Sequence, residues 1–237
     1  MFYTTYAIAR KLLLALLLVV PAALPLNGRA AGLALSDTRL IIENGRTSGA
    51  VVMSNTGSTP FLTKVWIEDV HGNKPENVMV VPPVSLSVPN KFIRFQVSIL
   101  NPLELPQDRE TIFYLHTHST PGNGSPDNTL NIAYNTSLKV FYRPKGLSGT
   151  MVQAIESLKW SLKNGVLTAT NDSDFNISIV TVGLDKNYKQ ISGFVIAPHD
   201  KAEFAVKEKY PKSVTVRWAA MDDYGSPLIT SRIISNQ

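Results

Sequence analysis

The sequence predicts an all-β protein built from two β-sandwich domains. Apolar residues recur mostly at every second position, and β-branched and aromatic residues are favoured in those runs. Turn-forming residues interrupt the runs at short intervals, which is typical of antiparallel sandwiches and not of a parallel sheet. The chain of 237 residues carries no heptad or internal repeat and is long enough for two such domains.

The clearest alternation marks the predicted strands. They span residues 33–43, 49–55, 61–69, 92–100, 111–118, 130–143, 160–162, 166–171, 177–184 and 213–221. The loop of residues 120–126, Thr-Pro-Gly-Asn-Gly-Ser-Pro, separates two of the longest strands. We expect those two strands to be antiparallel neighbours in one sheet.

Turn chemistry predicts one hairpin and one domain boundary. Asn164 and Gly165 lie between apolar runs, and this dipeptide favours a type I′ turn because both positions need positive φ. At residues 143–147 a proline ends a strand and a glycine loosens the connection that follows. The predicted domains are therefore residues 31–146 and 147–237.

The first residues have the order of a signal peptide. Arg10 and Lys11 precede an apolar run over residues 12–26, and small residues follow at positions 28–31. Prolines interrupt the run, so it does not resemble a membrane anchor. We expect export across a membrane, with cleavage after Ala30.

Composition argues against nucleic-acid binding and excludes disulfide bonds within the chain. Removal of residues 1–30 takes away three positive charges and no acidic residue, which lowers the formal net charge from +5 to +2. The remaining basic residues are scattered, so nucleic-acid binding is not expected. The chain has no cysteine, and its domains must be stable without disulfides.

The sequence contains none of the common catalytic motifs. The chain contains no nucleophile elbow, no phosphate-binding glycine loop, no His-Glu-x-x-His and no dinucleotide-binding pattern. His116 and His118 share one strand face but have no further ligands in a metal-binding motif. Asp222 and Asp223 are adjacent strand residues that face opposite sides, which disfavours an acid/base pair. We expect no enzyme activity, no metal and no cofactor.

One strand, residues 130–143, permits two interpretations. Leu130, Ile132 and Tyr134 share one face, and the strand turns basic at Lys139. It is either an ordinary sandwich strand with its core face buried, or an exposed edge whose alternate residues fill a groove on another chain. Periodicity alone does not decide between them, because it does not show which face meets solvent.

Six segments in order resemble one known family. They are residues 36–41 (Ser-Asp-Thr-Arg-Leu-Ile), 60–67 (with Pro-Phe-Leu and Trp-Ile), 82–89 (Pro-Pro-Val-Ser-Leu-Ser-Val-Pro), 105–114 (Leu-Pro-Gln-Asp-Arg-Glu-Thr-Ile-Phe-Tyr), 138–144 (Leu-Lys-Val-Phe-Tyr-Arg-Pro) and 223–225 (Asp-Tyr-Gly). Residues 105–114 are the most specific of these. On these motifs the chain resembles the periplasmic chaperones of the chaperone/usher pathway, the PapD-like family that assembles fimbriae.

The resemblance implies a fold and a function. The fold is two immunoglobulin-like sandwiches set at an angle, in a boomerang shape. The function is ATP-independent binding, folding and capping of fimbrial (pilin) subunits by donor-strand complementation, with delivery to an outer-membrane usher. No small-molecule substrate is implied, and the sequence leaves open whether the free chaperone caps itself as a homodimer.

The resemblance also assigns roles to individual residues. Leu130, Ile132 and Tyr134 take the donor positions that fill the groove of a subunit. Arg39 and Lys139 match the two cations that hold the subunit's terminal carboxylate. A charged network between the domains falls on Glu110, Arg143 and Asp223.

The chain departs from the family pattern at a few positions. His116 stands where Asn or Cys is usual, and Tyr134 is bulkier than the usual aliphatic donor residue. The loop before the donor strand is short and cysteine is absent, as in the short-loop branch that serves rod-like pili. Two alternative functions are a fibre subunit and a secreted hydrolase. A fibre subunit would be a single domain with its own donor extension, and the missing nucleophile motif disfavours a hydrolase.

Overall fold

The computed structural model describes residues 32–122, 132–185, 193–206 and 210–236. Within these ranges the regular secondary structure is β-strand except for one short α-helix and a 3-10 helix at Pro102–Glu104. The predicted all-β class is confirmed. No helix in the described ranges is long and apolar enough to cross a membrane.

The first half of the chain forms two sheets that pack against each other. Their strands are β1 (Leu33–Leu35), β2 (Arg39–Ile42), β3 (Ser48–Asn55), β4 (Phe61–Glu68), β5 (Val78–Val81), β6 (Val84–Ser87), β7 (Phe92–Ile99), β8 (Thr111–Pro121) and β9 (Tyr134–Tyr142). One sheet has the order β1-β3-β7-β5 and the other β2-β9-β8-β4-β6. The inward alternate residues of both sheets, such as Val51, Phe95, Leu115 and Val140, form one buried core.

The second half forms another pair of sheets around a separate core. Its elements are α1 (Met151–Ser157), β10 (Lys159–Lys163), β11 (Val166–Asn171), β12 (Ile177–Leu184), β13 (Phe194–Ile196), β14 (Asp200–Ala205), β15 (Ser213–Met221) and β16 (Pro227–Ser235). The sheets have the orders β10-β11-β14 and β13-β12-β15-β16. Trp218, Ile155, Leu167 and Ile177 lie at the centre of this core.

Both predicted local pairings are present. Lys163 pairs with Val166, and the two residues between them have φ of 50° at Asn164 and 74° at Gly165, as a type I′ turn requires. Strands β8 and β9 are antiparallel neighbours across the predicted loop. The Asn164-Gly165 turn therefore fixes the register of β10 with β11 locally.

The strand prediction for residues 33–43 was wrong in one respect. The chain forms β1, leaves the first sheet after Leu35, and enters the second sheet as β2. Strand β1 pairs with β3, whereas β2 runs parallel to β9. Both segments pack on the same core, but the inward residues are Leu33 and Leu35 in β1 and Leu40 and Ile42 in β2, so the alternation changes phase at the crossing.

Several elements were not predicted from the sequence. They are the edge strands β5, β6, β13 and β16, the partly exposed strand β14, and helix α1. Strands β5, β6 and β13 have only three or four residues, and the nine-residue β16 buries only Ile234, so their alternation is weak. Helix α1 did carry a signal, because Thr150 and Gln153 form a capping box at its start.

Candidate functional site

Strand β9 is paired on both sides over only half of its length. On one side β8 pairs with all of it, from Tyr134 to Tyr142. On the other side β2 pairs with it in parallel, and only from Lys139 onward. Among the described residues, the main chain of β9 from 134 to 138 therefore has an open edge. Such an edge is a template for another extended chain.

The apolar side chains before and at the start of this edge are exposed. Ile132 is 52% exposed and precedes β9, which begins only at Tyr134. Tyr134 is 37% exposed, and its ring meets Phe61 edge-to-face with centroids 5.5 Å apart. Leu130, the third expected donor residue, lies outside the described residues. The side chains of the two described donor residues are thus exposed enough to contact another chain.

Arg39 and Lys139 lie side by side where the open edge ends. They are paired residues of the parallel strands β2 and β9. The Arg39 guanidinium carbon is 5.7 Å from the centroid of the Phe141 ring, and its Nε is buried without a hydrogen-bond partner in the described structure. The two cations make no ion pair with any described acidic residue, which leaves them available for an external anion.

The electrostatics of this pair favour an anion. Burial lowers the pKa of Arg39, and the charges of Asp223, Asp222 and Glu110 act against that shift. Burial also lowers the pKa of Lys139, and the neighbouring Arg39 charge lowers it further. Both shifts have the direction expected when positive charges are desolvated without a counterion. A carboxylate bound here would stabilise the charged forms of both side chains and so oppose these shifts.

Arg143 is the centre of an ion network that joins the two halves of the chain. Its guanidinium donates to Asp223 through Nη1 and Nη2, at 2.9 and 2.8 Å. Its Nε donates to Glu110 at 3.0 Å, and its Nη1 donates to Glu43 at 3.0 Å. The guanidinium also lies 4.9 Å from the centroid of the Phe175 ring. The structure thus brings together the three residues that the sequence grouped.

Glu110 is the most buried member of this network. Its side chain is fully buried and accepts the main-chain N–H of Asn176 at 2.9 Å and the Asn176 Nδ2 at 3.2 Å. Burial raises the pKa of Glu110, while Arg143 and the Asn176 donors act to lower it. Burial works against the charge of Arg143, yet hydrogen bonds and charges from Asp223 and Glu110 raise its pKa. The Glu110 carboxylate is stabilised only as long as these donors remain.

Sequence reasoning missed Glu43 and Asn176. Glu43 follows β2 directly, and Asn176 precedes β12. Glu43 had no sequence signal, because it meets Arg143 only through the parallel pairing of β2 with β9, which the structure alone shows. Asn176 had none, because only the packing of the two halves brings it to Glu110.

The histidines of β8 have local partners. His116 Nε2 lies 3.2 Å from Glu68 Oε2, and its ring stacks on Trp66 with centroids 5.4 Å apart. His118 Nδ1 lies 2.6 Å from Asn135 Oδ1. Over the part of the chain that is described, His, Asp and Glu side chains form no group able to hold a metal ion.

Two sandwiches joined by an ion network, with an open strand edge that ends at two unpaired cations, have the architecture of a strand-adding binding protein. The chain belongs to the pilus-assembly chaperone family. Residues 32–148 match the family model described as pili and flagellar-assembly chaperone, PapD N-terminal domain, and residues 153–230 match that of the pili assembly chaperone PapD, C-terminal domain. The resemblance found in the sequence is confirmed, and the protein is a fimbrial assembly chaperone and not an enzyme.

Curated relatives and solved structures agree with this family. The chain is 32% identical to the chaperone protein FimB/FhaD of Bordetella pertussis over 209 residues, which cover 82% of this chain and 85% of the relative. It is 33% identical to the chaperone protein LpfB of Salmonella typhimurium over 175 residues, 71% of this chain and 75% of the relative. The crystal structure of the YadV chaperone matches with a TM-score of 0.74 at 25% identity, covering 85% of this chain and 98% of that one.

Proposed function

We propose that the chaperone holds a pilin subunit along the open edge of β9, with the subunit's terminal carboxylate between Arg39 and Lys139. The observation that carries this proposal is that the open edge ends directly at two half-buried cations that form no ion pair with a described acidic residue. Strand addition supplies main-chain hydrogen bonds along the edge, and the cations bind the end of the added strand. Donor-strand complementation is the known form of this interaction in chaperone–pilin complexes.

The pairing of β2 with β9 also supports one direction for the added strand. Strand β2 runs parallel to β9 and begins at Arg39. An added strand that ends at Arg39 and Lys139 must therefore approach from residue 134 toward residue 139, parallel to β9. Its last residue then meets the first residue of β2, and the two strands share one row beside β9.

The donor side chains supply the apolar part of the interface. Transfer of a large apolar side chain from water into a groove contributes roughly 1.5–3 kcal/mol before association costs are subtracted. Ile132 and Tyr134 are exposed enough to gain from this transfer. We assign the same role to Leu130, which lies outside the described residues. Because side chains alternate, a slip of one residue would turn the whole set away from the groove.

The cellular setting follows from family membership and the N-terminal segment. The family consists of periplasmic chaperones, and one solved structure with the same fold is that of the periplasmic chaperone SfaE. We propose that residues 1–30 are the signal peptide, with cleavage near Ala30, and that an outer-membrane usher receives the loaded chaperone. A solved complex of the Salmonella enterica SafA pilin with the SafB chaperone has the same fold, with a TM-score of 0.75 at 21% identity.

We retain the domain boundaries of residues 31–146 and 147–237 as part of this proposal. Tyr142 belongs to the first core, whereas Leu147 packs against the second. The interdomain role of Glu110, Arg143 and Asp223 is to hold the second domain at a set angle to β9. Glu43 is a fourth acidic member of that network.

The substitution Tyr134→Ala tests the donor strand. We expect it to weaken capture of a co-expressed fimbrial subunit by about tenfold or more, because it removes apolar area equivalent to at least 1.4 kcal/mol. The measurement is co-purification from the periplasm, followed by a binding titration. Phe92→Ala is the matched control, since this aromatic residue is 75% exposed on the opposite sheet of the same sandwich. Equal losses of affinity in both variants would contradict the assignment of Tyr134 as a donor residue.

The same experiment separates capping by a subunit from capping by a second copy of the chaperone. The open edge and its apolar side chains also fit another copy of this strand. If the purified wild type forms a dimer that Tyr134→Ala dissociates, the free protein caps itself through this edge. A monomeric wild type would show that the edge stays open until a subunit arrives.

The affinity for a carboxylate is expected to fall with rising pH. Lys139 binds a carboxylate only in its charged form, and its pKa is lowered by burial and by Arg39. The loss should therefore begin at a lower pH than for an ordinary lysine, whose pKa is 10.5. In Lys139→Arg the guanidinium stays charged, and the fall should be absent. Titrations from neutral to alkaline pH check this, and parallel curves for both proteins would contradict it.

A further inference from the structure

The loop between β15 and β16 is a rigid tip. Asp222 accepts the main-chain N–H groups of Tyr224 at 2.9 Å and Ser226 at 2.7 Å through a single carboxylate oxygen. Its own N–H donates to the Ser226 carbonyl at 2.9 Å, and Gly225 donates to the Asp222 carbonyl at 3.2 Å. With this many internal hydrogen bonds, residues 222–226 move as one unit.

This tip contacts the first sandwich at two points. Asp223 binds Arg143 through both carboxylate oxygens. Gly225 lies against Thr38, so closely that a Cβ at position 225 would be 2.5 Å from Thr38 Oγ1. The first contact is electrostatic and can stretch with the long Arg143 side chain. The second is a steric contact, which sets the shortest distance that Gly225 and Thr38 can reach.

Thr38 has little else to position it. It lies in the crossing between β1 and β2, where the chain changes sheet. No hydrogen bond within the described ranges ties Thr38, whereas Ser36 before it donates to the Val52 carbonyl at 2.8 Å. Arg39 follows immediately and is the first residue of β2. A contact that restricts the position of Thr38 therefore also restricts the backbone at the start of β2, from which the Arg39 side chain extends.

We infer that the tip of residues 222–226 is a positioning element that sets Arg39 beside Lys139 through the contact of Gly225 with Thr38. The inference rests on the proposed function, because it gives the second domain a direct part in forming the carboxylate site. The Asp222 and Asp223 charges act on Arg39, as expected for a tip that lies close to it. Gly225 and Thr38 touch no subunit in this scheme, so they are positioning residues.

The test compares Gly225→Ala with a matched glycine. Gly225 has a φ of +79°, so alanine is strained there irrespective of Thr38. Gly72 has the same φ of +79° and nothing within 4 Å of a Cβ. Gly72→Ala therefore reports the backbone strain alone. Thr38→Ala removes the obstructing oxygen, and Thr38→Ala/Gly225→Ala should relieve the extra effect of Gly225→Ala.

The first readout is the preference for a free carboxylate. The probe is a synthetic nine-residue peptide of alternating valine and threonine, compared with the same peptide ending in an amide. We expect Gly225→Ala to reduce this preference about threefold or more, a typical coupling between contacting residues. Gly72→Ala should leave the preference unchanged, and the double variant should restore it. A structural loss alone would weaken both peptides equally and leave the ratio unaltered.

The second readout needs no ligand. The chain has no native cysteine, so Asp37→Cys and Lys163→Cys can carry spin labels without further changes. We expect Gly225→Ala to broaden the distance distribution between the labels and the double variant to narrow it again. An unchanged distribution in Gly225→Ala would overturn the inference. If the wild type does not prefer the carboxylate peptide, the proposed anchoring fails, while the label distances still decide whether the tip positions Thr38.

Discussion

The double substitution Arg39→Ala/Lys139→Ala is expected to lower the affinity for a fimbrial subunit about 10²- to 10⁴-fold. Each charge-assisted hydrogen bond to a carboxylate contributes roughly 1.5–3 kcal/mol, and this variant removes one from each cation. The effect is large because both groups are already half-buried without a counterion. The measurement is a binding titration with a purified subunit whose terminal carboxylate is intact.

The control must remove the same charge elsewhere. Lys91→Ala/Arg94→Ala also removes one lysine and one arginine, from exposed positions on and beside β7. We expect this variant to bind the subunit as the wild type does, apart from a small salt-dependent change. A second control uses the subunit with an amidated C-terminus, which should bind both wild type and Arg39→Ala/Lys139→Ala weakly. Equal affinities of the two double variants would disprove carboxylate anchoring.

Arg143→Ala is expected to lower the free energy of unfolding by about 3–5 kcal/mol. Removal of one partner from a buried ion pair leaves the other charge without compensation, which is the costly case. Here the uncompensated group is Glu110, whose side chain is fully buried. Glu43 and Asp223 lose a donor as well, but both are about one-third exposed and can be hydrated. Chemical denaturation followed by circular dichroism gives the value.

Two further variants separate the ion network from a general effect of removing an arginine. Arg109→Ala removes a guanidinium that pairs with Asp108 in an exposed position, so the unfolding midpoint should not move. Glu110→Gln combined with Arg143→Met removes the buried charges together and should recover much of the stability lost in Arg143→Ala. If Arg143→Ala is as stable as the wild type, the network does not hold the two halves together.

The local pattern of the chain was sufficient for the fold class, and the family resemblance supplied the candidate site residues. Alternation placed Ile132 and Tyr134 on one face, and Asn164 with Gly165 formed the turn that their φ preferences demand. The motif context singled out Arg39 and Lys139, which neither charge nor spacing distinguishes from surface residues. These features are local, because each depends on residues within a few positions of one another.

The tertiary structure decided where the chain changes sheet and which distant groups meet. Residues 33–43 were predicted as one strand, yet β1 and β2 belong to different sheets that share one core, and the inward positions change from odd to even numbers between them. Glu43 and Arg143 are 100 positions apart, and Gly225 and Thr38 are farther apart still. Sequence by itself determined which residues can be strands, turns or ion partners, because these are properties of short segments. Packing alone determined three features: the open edge of β9, the placement of Arg39 and Lys139 away from the described acidic partners, and the contact of residues 222–226 with Thr38. Each of them requires two sheets or two domains to be in place.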